Sequence, residues 1–135
     1  MTEKELKKIF NQKKEKIDKK AKITAGFRNT TFDEFSAWYD IDVFNEGCRY
    51  CGITNERSHE LYEMQRNGQR IDATRGGKRG KRLELDRVNP NLPYDNLDNL
   101  VWCCYWCNNA KSNFFTLNEF LPIANAIGQV LRNIQ

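Results

Sequence analysis

Cys48-Arg-Tyr-Cys51 and Cys104-Tyr-Trp-Cys107 place two thiol pairs at the same two-residue spacing, about fifty residues apart. Paired knuckles of this kind can close into one tetrahedral site of four sulfurs, and everything between them must then fold so that they meet. Thiolate is soft and charged, so four of them suit zinc and leave no ligand position for water. Cys48, Cys51, Cys104 and Cys107 are therefore the expected zinc ligands. Cys103 abuts Cys104 but breaks the spacer, and reads as an ordinary buried thiol. A redox CxxC uses one pair and would leave the second unexplained. Metal binding and folding should be inseparable in such a chain.

The bulk properties agree with a metal-stapled fold. A mean hydropathy of -0.78 and 39% hydrophobic residues over 135 positions leave a thin core, which a bound metal would reinforce. One compact domain is expected at this length. No apolar run approaches the roughly 18 residues of a membrane span. The opening Thr2-Glu-Lys-Glu-Leu-Lys-Lys has no apolar stretch behind it, so no secretory signal is expected. Five cysteines without export point to reduced, metal-bound thiols in the cytoplasm rather than to disulfides.

The net charge of +4 is unevenly distributed. Residues 1–23 carry nine Lys against four acids, and residues 65–82 carry seven Lys or Arg against Asp72 alone. Segregated positive charge suits a polyanion, because each neutralised phosphate releases a condensed counterion. The plain alternative for either run is solvated surface. The 65–82 run, rich in Arg and next to a strand, favours nucleic acid, with Arg75, Lys78, Arg79, Lys81 and Arg82 as the expected DNA contacts.

Periodicity and caps organise the chain into an N-terminal region of basic and aromatic helices (1–47), a knuckle-bounded core (48–115) and a C-terminal amphipathic helix (116–135). Thr2-Glu-Lys-Glu5 has capping-box spacing, and Leu6, Ile9, Phe10 and Ile17 predict a helix to about Ala21. A second box, Thr31-Phe-Asp-Glu34, opens a short helix whose aromatics read as core. Residues 54–67 predict a helix stopped by Gly68. Arg82-Leu-Glu-Leu-Asp86 alternates, so Leu83 and Leu85 should face one way and Glu84 and Asp86 the other. Asn99-Leu-Val-Trp102 predicts a second short strand, followed by a helix from Cys104 to about Phe114. A third box, Thr116-Leu-Asn-Glu119, launches the last helix, whose Phe120, Leu121, Ile123, Ile127, Val130 and Leu131 read as core or as a homodimer seam.

Leu85-Asp86-Arg87, Tyr94, Asn99-Leu100 and Cys104-x-x-Cys107-Asn108-x-x-Lys111-Ser112, with Cys48-x-x-Cys51-Gly52 upstream, resemble the HNH endonucleases. The resemblance spans about residues 48–115 and implies an α+β fold. That fold is a zinc-stapled, treble-clef-like ββα-metal core, here with flanking helices at both termini. It implies a DNA endonuclease that hydrolyses phosphodiester bonds in double-stranded DNA. Its catalytic Mg²⁺ or Mn²⁺ would be held by Asp86 and Asn108, oxygen donors that suit a hard ion. Asn99 would order the loop, and Lys111, one turn beyond Asn108, would reach a phosphate or stand as a solvated lysine.

The chain departs from the family at Arg87, which stands where most members carry a histidine that activates water. Arginine stays protonated and cannot take that proton, though its fork can grip a phosphate. His59, the one histidine, and Tyr94 are the alternative sources of a general base, with Glu84 a third. The competing reading is a zinc-ribbon DNA-binding module without catalysis.

Overall fold

The computed structural model describes residues 1–14, 26–70 and 79–135. The chain forms two compact units, one of Met1–Ile41 with Arg87–Leu100 and the other of Asp42–Asp86 with Val101–Gln135.

In the first unit, α1 (Glu3–Gln12) begins at a complete capping box in which the Thr2 hydroxyl accepts from the Glu5 amide and the Glu5 carboxylate accepts from the Thr2 amide. Its buried stripe is Leu6, Ile9 and Phe10. The predicted helix to Ala21 is corrected: α1 closes at Lys13, whose carbonyl accepts from the Phe27 amide, and Lys14 bridges to Phe27. Tertiary pairing ends what periodicity alone would extend; positions 15–25 of that prediction lie outside the described residues. α2 (Phe32–Trp38) starts at the Thr31–Glu34 box as predicted. Phe10 stacks on Phe27 and on Phe35, Phe27 and Phe35 meet at a tilt, all at centroid separations of 5.2 to 5.8 Å, and Trp38 stacks on Phe35. Phe10, Phe27 and Phe35 are core; of the α2 aromatics expected there, Phe35 alone is fully buried, and Phe32, Trp38 and Tyr39 are half-buried. Asp95 gathers the loop that follows Phe27, accepting from the amides of Arg28, Asn29 and Thr30 and from the Thr30 hydroxyl.

Next in the chain is α3 (Ile41–Asn45), a five-residue turn of helix with no predicted counterpart. The first knuckle follows. Gly47 (φ 91) turns the chain there, and a Cβ at that position would clash with the Ile53 carbonyl. The Cys48 amide donates to that same carbonyl at 2.8 Å, so the knuckle closes on itself. α4 (Asn55–Arg66) is capped by Thr54 and followed by Gly68 (φ 83), close to the predicted bounds. β1 (Glu84–Arg87) pairs with β2 (Leu100–Cys103) in a two-stranded sheet. α5 (Tyr105–Lys111) leaves β2 through the second knuckle. It ends at Ser112, whose φ of 44 reverses the chain, rather than at Phe114.

α6 (Leu117–Asn133) starts at the Thr116–Glu119 box. Its buried stripe is Phe120, Ala124, Gly128 and Leu131, whereas Ile123 and Val130, expected in the core or in a homodimer seam, are exposed in the single chain. The small residues decide the packing: a Cβ on Gly128 would lie 2.8 Å from the Cys51 carbonyl oxygen. Arg132 donates to that carbonyl at 2.5 Å, and Arg57 donates to the carbonyls of Leu131 and Ile134 at the end of α6. The C-terminal helix is thereby fastened onto the first knuckle. Among the described residues, no helix is long and apolar enough to cross a membrane.

Candidate active site

Cys48, Cys51, Cys104 and Cys107 are all buried, and their sulfurs lie within 4.8 Å of one another. A tetrahedral site with metal–sulfur bonds of about 2.3 Å requires sulfurs about 3.8 Å apart; Cys51 Sγ and Cys104 Sγ are 3.7 Å apart. The amides of Cys51 and Cys107 donate to the sulfurs of Cys48 and Cys104 at 3.5 and 3.4 Å, which favours thiolate character in each knuckle. Hydrogen bonds from Cys104 and then Cys107 hold the Cys48 thiol far below its ordinary value. Those shared with Cys104, Cys48 and Cys51, followed by burial, push Cys107 far above it. Without a cation the sulfurs must share protons; a soft dication would replace them. The four thiols fit a metal such as zinc. Cys103 lies outside the cluster, and burial pushes its thiol well up, in keeping with an inert core position.

Beside this cluster, β1 and α5 bring polar side chains face to face. Leu83 and Leu85 are buried at 0% and 1% exposure, which turns Glu84 and Asp86 together onto the other face of the strand, as the alternation predicted. α5 is capped by Cys104, whose sulfur accepts from the Cys107 amide, so the knuckle that presents a ligand also starts the helix. Asn108 and Lys111, three apart, then share one face of α5. Two cross-links join the faces: Asn108 Nδ2 donates to Glu84 Oε1 at 3.0 Å, and Lys111 Nζ lies 3.3 Å from Asp86 Oδ2.

Lys111 is 1% exposed, so the surface position allowed for it in the sequence reading is corrected. A buried ammonium needs a partner, and Asp86 supplies it, with the Tyr50 ring 5.5 Å away. Tyr50 also donates to Asp86 Oδ2 at 2.6 Å. Burial, then the Asp86 charge, pushes the Tyr50 phenol far above its ordinary value, so it remains a donor. Tyr50 is a site residue that sequence reasoning missed; its one signal is an aromatic inside the spacer of the first knuckle.

The other candidates are placed as follows. Arg79 bonds Glu84 through Nη2 to Oε1 at 2.6 Å and through Nε to Oε2 at 3.2 Å, and its guanidinium lies 4.5 Å over the Tyr105 ring. The Glu84 bond raises its already high pKa. Arg82 Nη1 donates to the Leu83 carbonyl, and Lys81 is exposed. Arg75 and Lys78 lie outside the described residues. His59 sits on the exposed side of α4, with Nδ1 3.2 Å from the Lys81 carbonyl and Nε2 3.7 Å from Glu63. Its contacts are therefore with α4 and the basic segment rather than with Asp86 or Asn108.

Within the first unit, Arg87 donates to the Leu92 carbonyl and lies 4.9 Å over the ring of Tyr94. Tyr94 is buried, edge-on to Phe27, and its hydroxyl accepts from Lys13 at 3.4 Å. Asn99 accepts from the Asn89 amide and donates to the Asn89 carbonyl, both at 2.9 Å, which ties the two ends of the 89–99 loop together.

The combination of a paired-knuckle thiol cluster, a two-stranded sheet and a helix carrying Asn108 and Lys111 defines an HNH-like α+β fold. No family model matches the chain, and no curated protein matches it either. A solved structure of the rare-cutting HNH restriction endonuclease PacI does, with a TM-score of 0.57 and 28% identity. The match covers 77% of this chain and 66% of that one, so the chain spans just under two thirds of the length of the protein it resembles.

Proposed function

We propose that the chain is a metal-dependent DNA endonuclease that hydrolyses phosphodiester bonds, stapled by a structural zinc at Cys48, Cys51, Cys104 and Cys107. The observation that carries this reading is the meeting of two faces beside the thiol cluster, Glu84 and Asp86 from β1 with Asn108 and Lys111 from α5. The likeness to PacI supports nuclease chemistry and DNA as substrate. Asp86 and Asn108 would hold Mg²⁺ or Mn²⁺, since a carboxylate and an amide oxygen suit a hard ion. Such an ion supplies Lewis acidity at the scissile phosphate. Arg87, next to Asp86 in the chain, binds a phosphate oxygen through its permanently charged fork. Lys81 and Arg82, with Arg75 and Lys78, contact the DNA backbone. A homodimer would let two copies cut both strands.

A second reading has its own support. Asp86 Oδ2 is already bonded by Tyr50 and approached by Lys111, an arrangement that also suits a DNA-binding module without catalysis. One experiment separates them. Zinc-loaded protein is incubated with supercoiled plasmid, with and without Mg²⁺ or Mn²⁺, beside Asp86→Asn. The endonuclease reading expects metal-dependent nicking that Asp86→Asn lowers by about 100-fold or more (about 2.7 kcal/mol) with zinc content unchanged. Salt-sensitive DNA binding without cleavage under any cation would establish the binding module instead.

A further inference from the structure

Two carboxylates share one face of β1, yet their surroundings differ. Asp86 faces the Lys111 ammonium and the Tyr50 hydroxyl through a single oxygen, Oδ2. Glu84 has both oxygens engaged: Oε1 accepts from Arg79 Nη2 and from Asn108 Nδ2, and Oε2 accepts from Arg79 Nε. We propose that Glu84, clamped by Arg79, is a positioning residue that fixes the side-chain amide of Asn108 with its oxygen turned toward the catalytic cation. This rests on the reading of Asp86 and Asn108 as the cation's ligands.

The chemistry follows from the two ends of an amide. Only the oxygen of Asn108 can ligate a hard cation, and nothing in the amide's shape selects which end faces the site. A carboxylate accepts and cannot donate, so the 3.0 Å bond to Glu84 holds the Nδ2 end and leaves Oδ1 at the other. Glu84 in turn needs a fixed donor, and Arg79 supplies one with a short bond of 2.6 Å. Arg79 is itself held over the ring of Tyr105, the first residue of α5, 4.5 Å away. The relay therefore starts and ends on the same helix, three residues apart, and ties the Asn108 amide to the frame of α5 rather than to solvent. It also reassigns Arg79: its guanidinium serves the site from within instead of reaching out to a phosphate.

The test is Mn²⁺ affinity, measured without DNA by the electron paramagnetic resonance of the free ion, on zinc-loaded wild type, Glu84→Ala, Glu84→Gln and Arg79→Ala. Partners that orient a metal ligand typically contribute 10- to 100-fold in affinity. Glu84→Ala should therefore weaken Mn²⁺ binding by about that factor, and Arg79→Ala by about tenfold. Glu84→Gln should lose less than Glu84→Ala, because its Oε1 still accepts from Asn108 and from Arg79 Nη2, although the new amide NH2 can no longer accept from Arg79 Nε. Zinc content reports folding; if Glu84→Ala loses zinc, the other two variants decide. Equal losses in Glu84→Gln and Glu84→Ala would make Glu84 a direct ligand and overturn the proposal. An unchanged affinity in Arg79→Ala would overturn the relay while leaving the cation reading intact. Wild type that binds no Mn²⁺ would overturn both.

Discussion

Replacing Lys111 by methionine should lower stability and raise cation affinity at the same time. The Lys111 ammonium is 1% exposed and 3.3 Å from Asp86 Oδ2. At that separation an effective dielectric of about 20 gives an attraction of roughly 5 kcal/mol, most of which offsets the desolvation of the two charges. The loss on removing one partner is governed by the charge left behind, about 3–5 kcal/mol for a fully buried pair. Asp86 is 14% exposed and keeps its bond to Tyr50, and methionine fills the space of the lysine stem, so about 2 kcal/mol is the expected cost. For a chain of this size, at roughly 3–5 °C per kcal/mol, the Tm of zinc-loaded protein should fall by about 6–10 °C in a circular dichroism melt. Mn²⁺ affinity should move the other way, by about tenfold, because the ammonium and a dication compete for the same carboxylate. If Tm and affinity fall together, Lys111 is scaffold and not an electrostatic rival. If neither moves, the ion pair is not coupled to the site at all.

Gly128→Ala places a Cβ 2.8 Å from the Cys51 carbonyl oxygen and 3.1 Å from Cys51 Cβ. Backbone yields poorly to such overlap, so α6 should lift from the first knuckle at a cost of about 1–3 kcal/mol; an unaltered Tm would refute the close approach. Cys107→Ser should abolish stoichiometric zinc and most of the helical dichroism, and retention of both would remove the staple. Asp95 predicts an acid-sensitive first unit. Burial alone would raise its pKa, but the Thr30 hydroxyl and the amides of Thr30, Asn29 and Arg28 outweigh it and hold the carboxyl below its ordinary value. A depressed folded-state pKa contributes stability that is present above the unfolded value and lost as pH falls through the folded one. Asp95→Asn should therefore be less stable at neutral pH and should flatten the acid limb of the melting profile; identical acid limbs would refute the assignment.

Local codes carried most of the legible fold. All three Thr–x–x–Glu boxes start helices, because each is satisfied within four residues and needs no tertiary partner. The alternation of 83–86 and the paired spacers are local in the same sense, and they gave the strand face and the thiol set. Helix ends were read less well. α1 stops where Lys13 and Lys14 meet Phe27, and α5 stops where Ser112 turns to positive φ, neither of which a hydrophobic period encodes. In α6 the hydrophobic period finds the buried Phe120 and Leu131 but not Ala124 and Gly128, which matter by being small, a property that hydrophobicity does not weigh. At the site, ligand-type residues were visible but their pairings were not. Lys111 looks like a surface cation until β1 is laid beside α5, and only then does it find the Asp86 carboxylate, while Arg79 stays exposed and pairs with Glu84.

Cys104 occupies two structural positions at once, as a sulfur of the thiol cluster and as the N-terminal cap of the helix that bears Asn108 and Lys111. A soft ion held by that sulfur would orient the first turn of α5, and with it the side chains four and seven residues on. Competence of such a protein would rise and fall with the supply of one trace element, even while the ion at work on the phosphate stayed plentiful. On the function proposed above, depleting the structural ion would silence the protein as surely as removing the catalytic one.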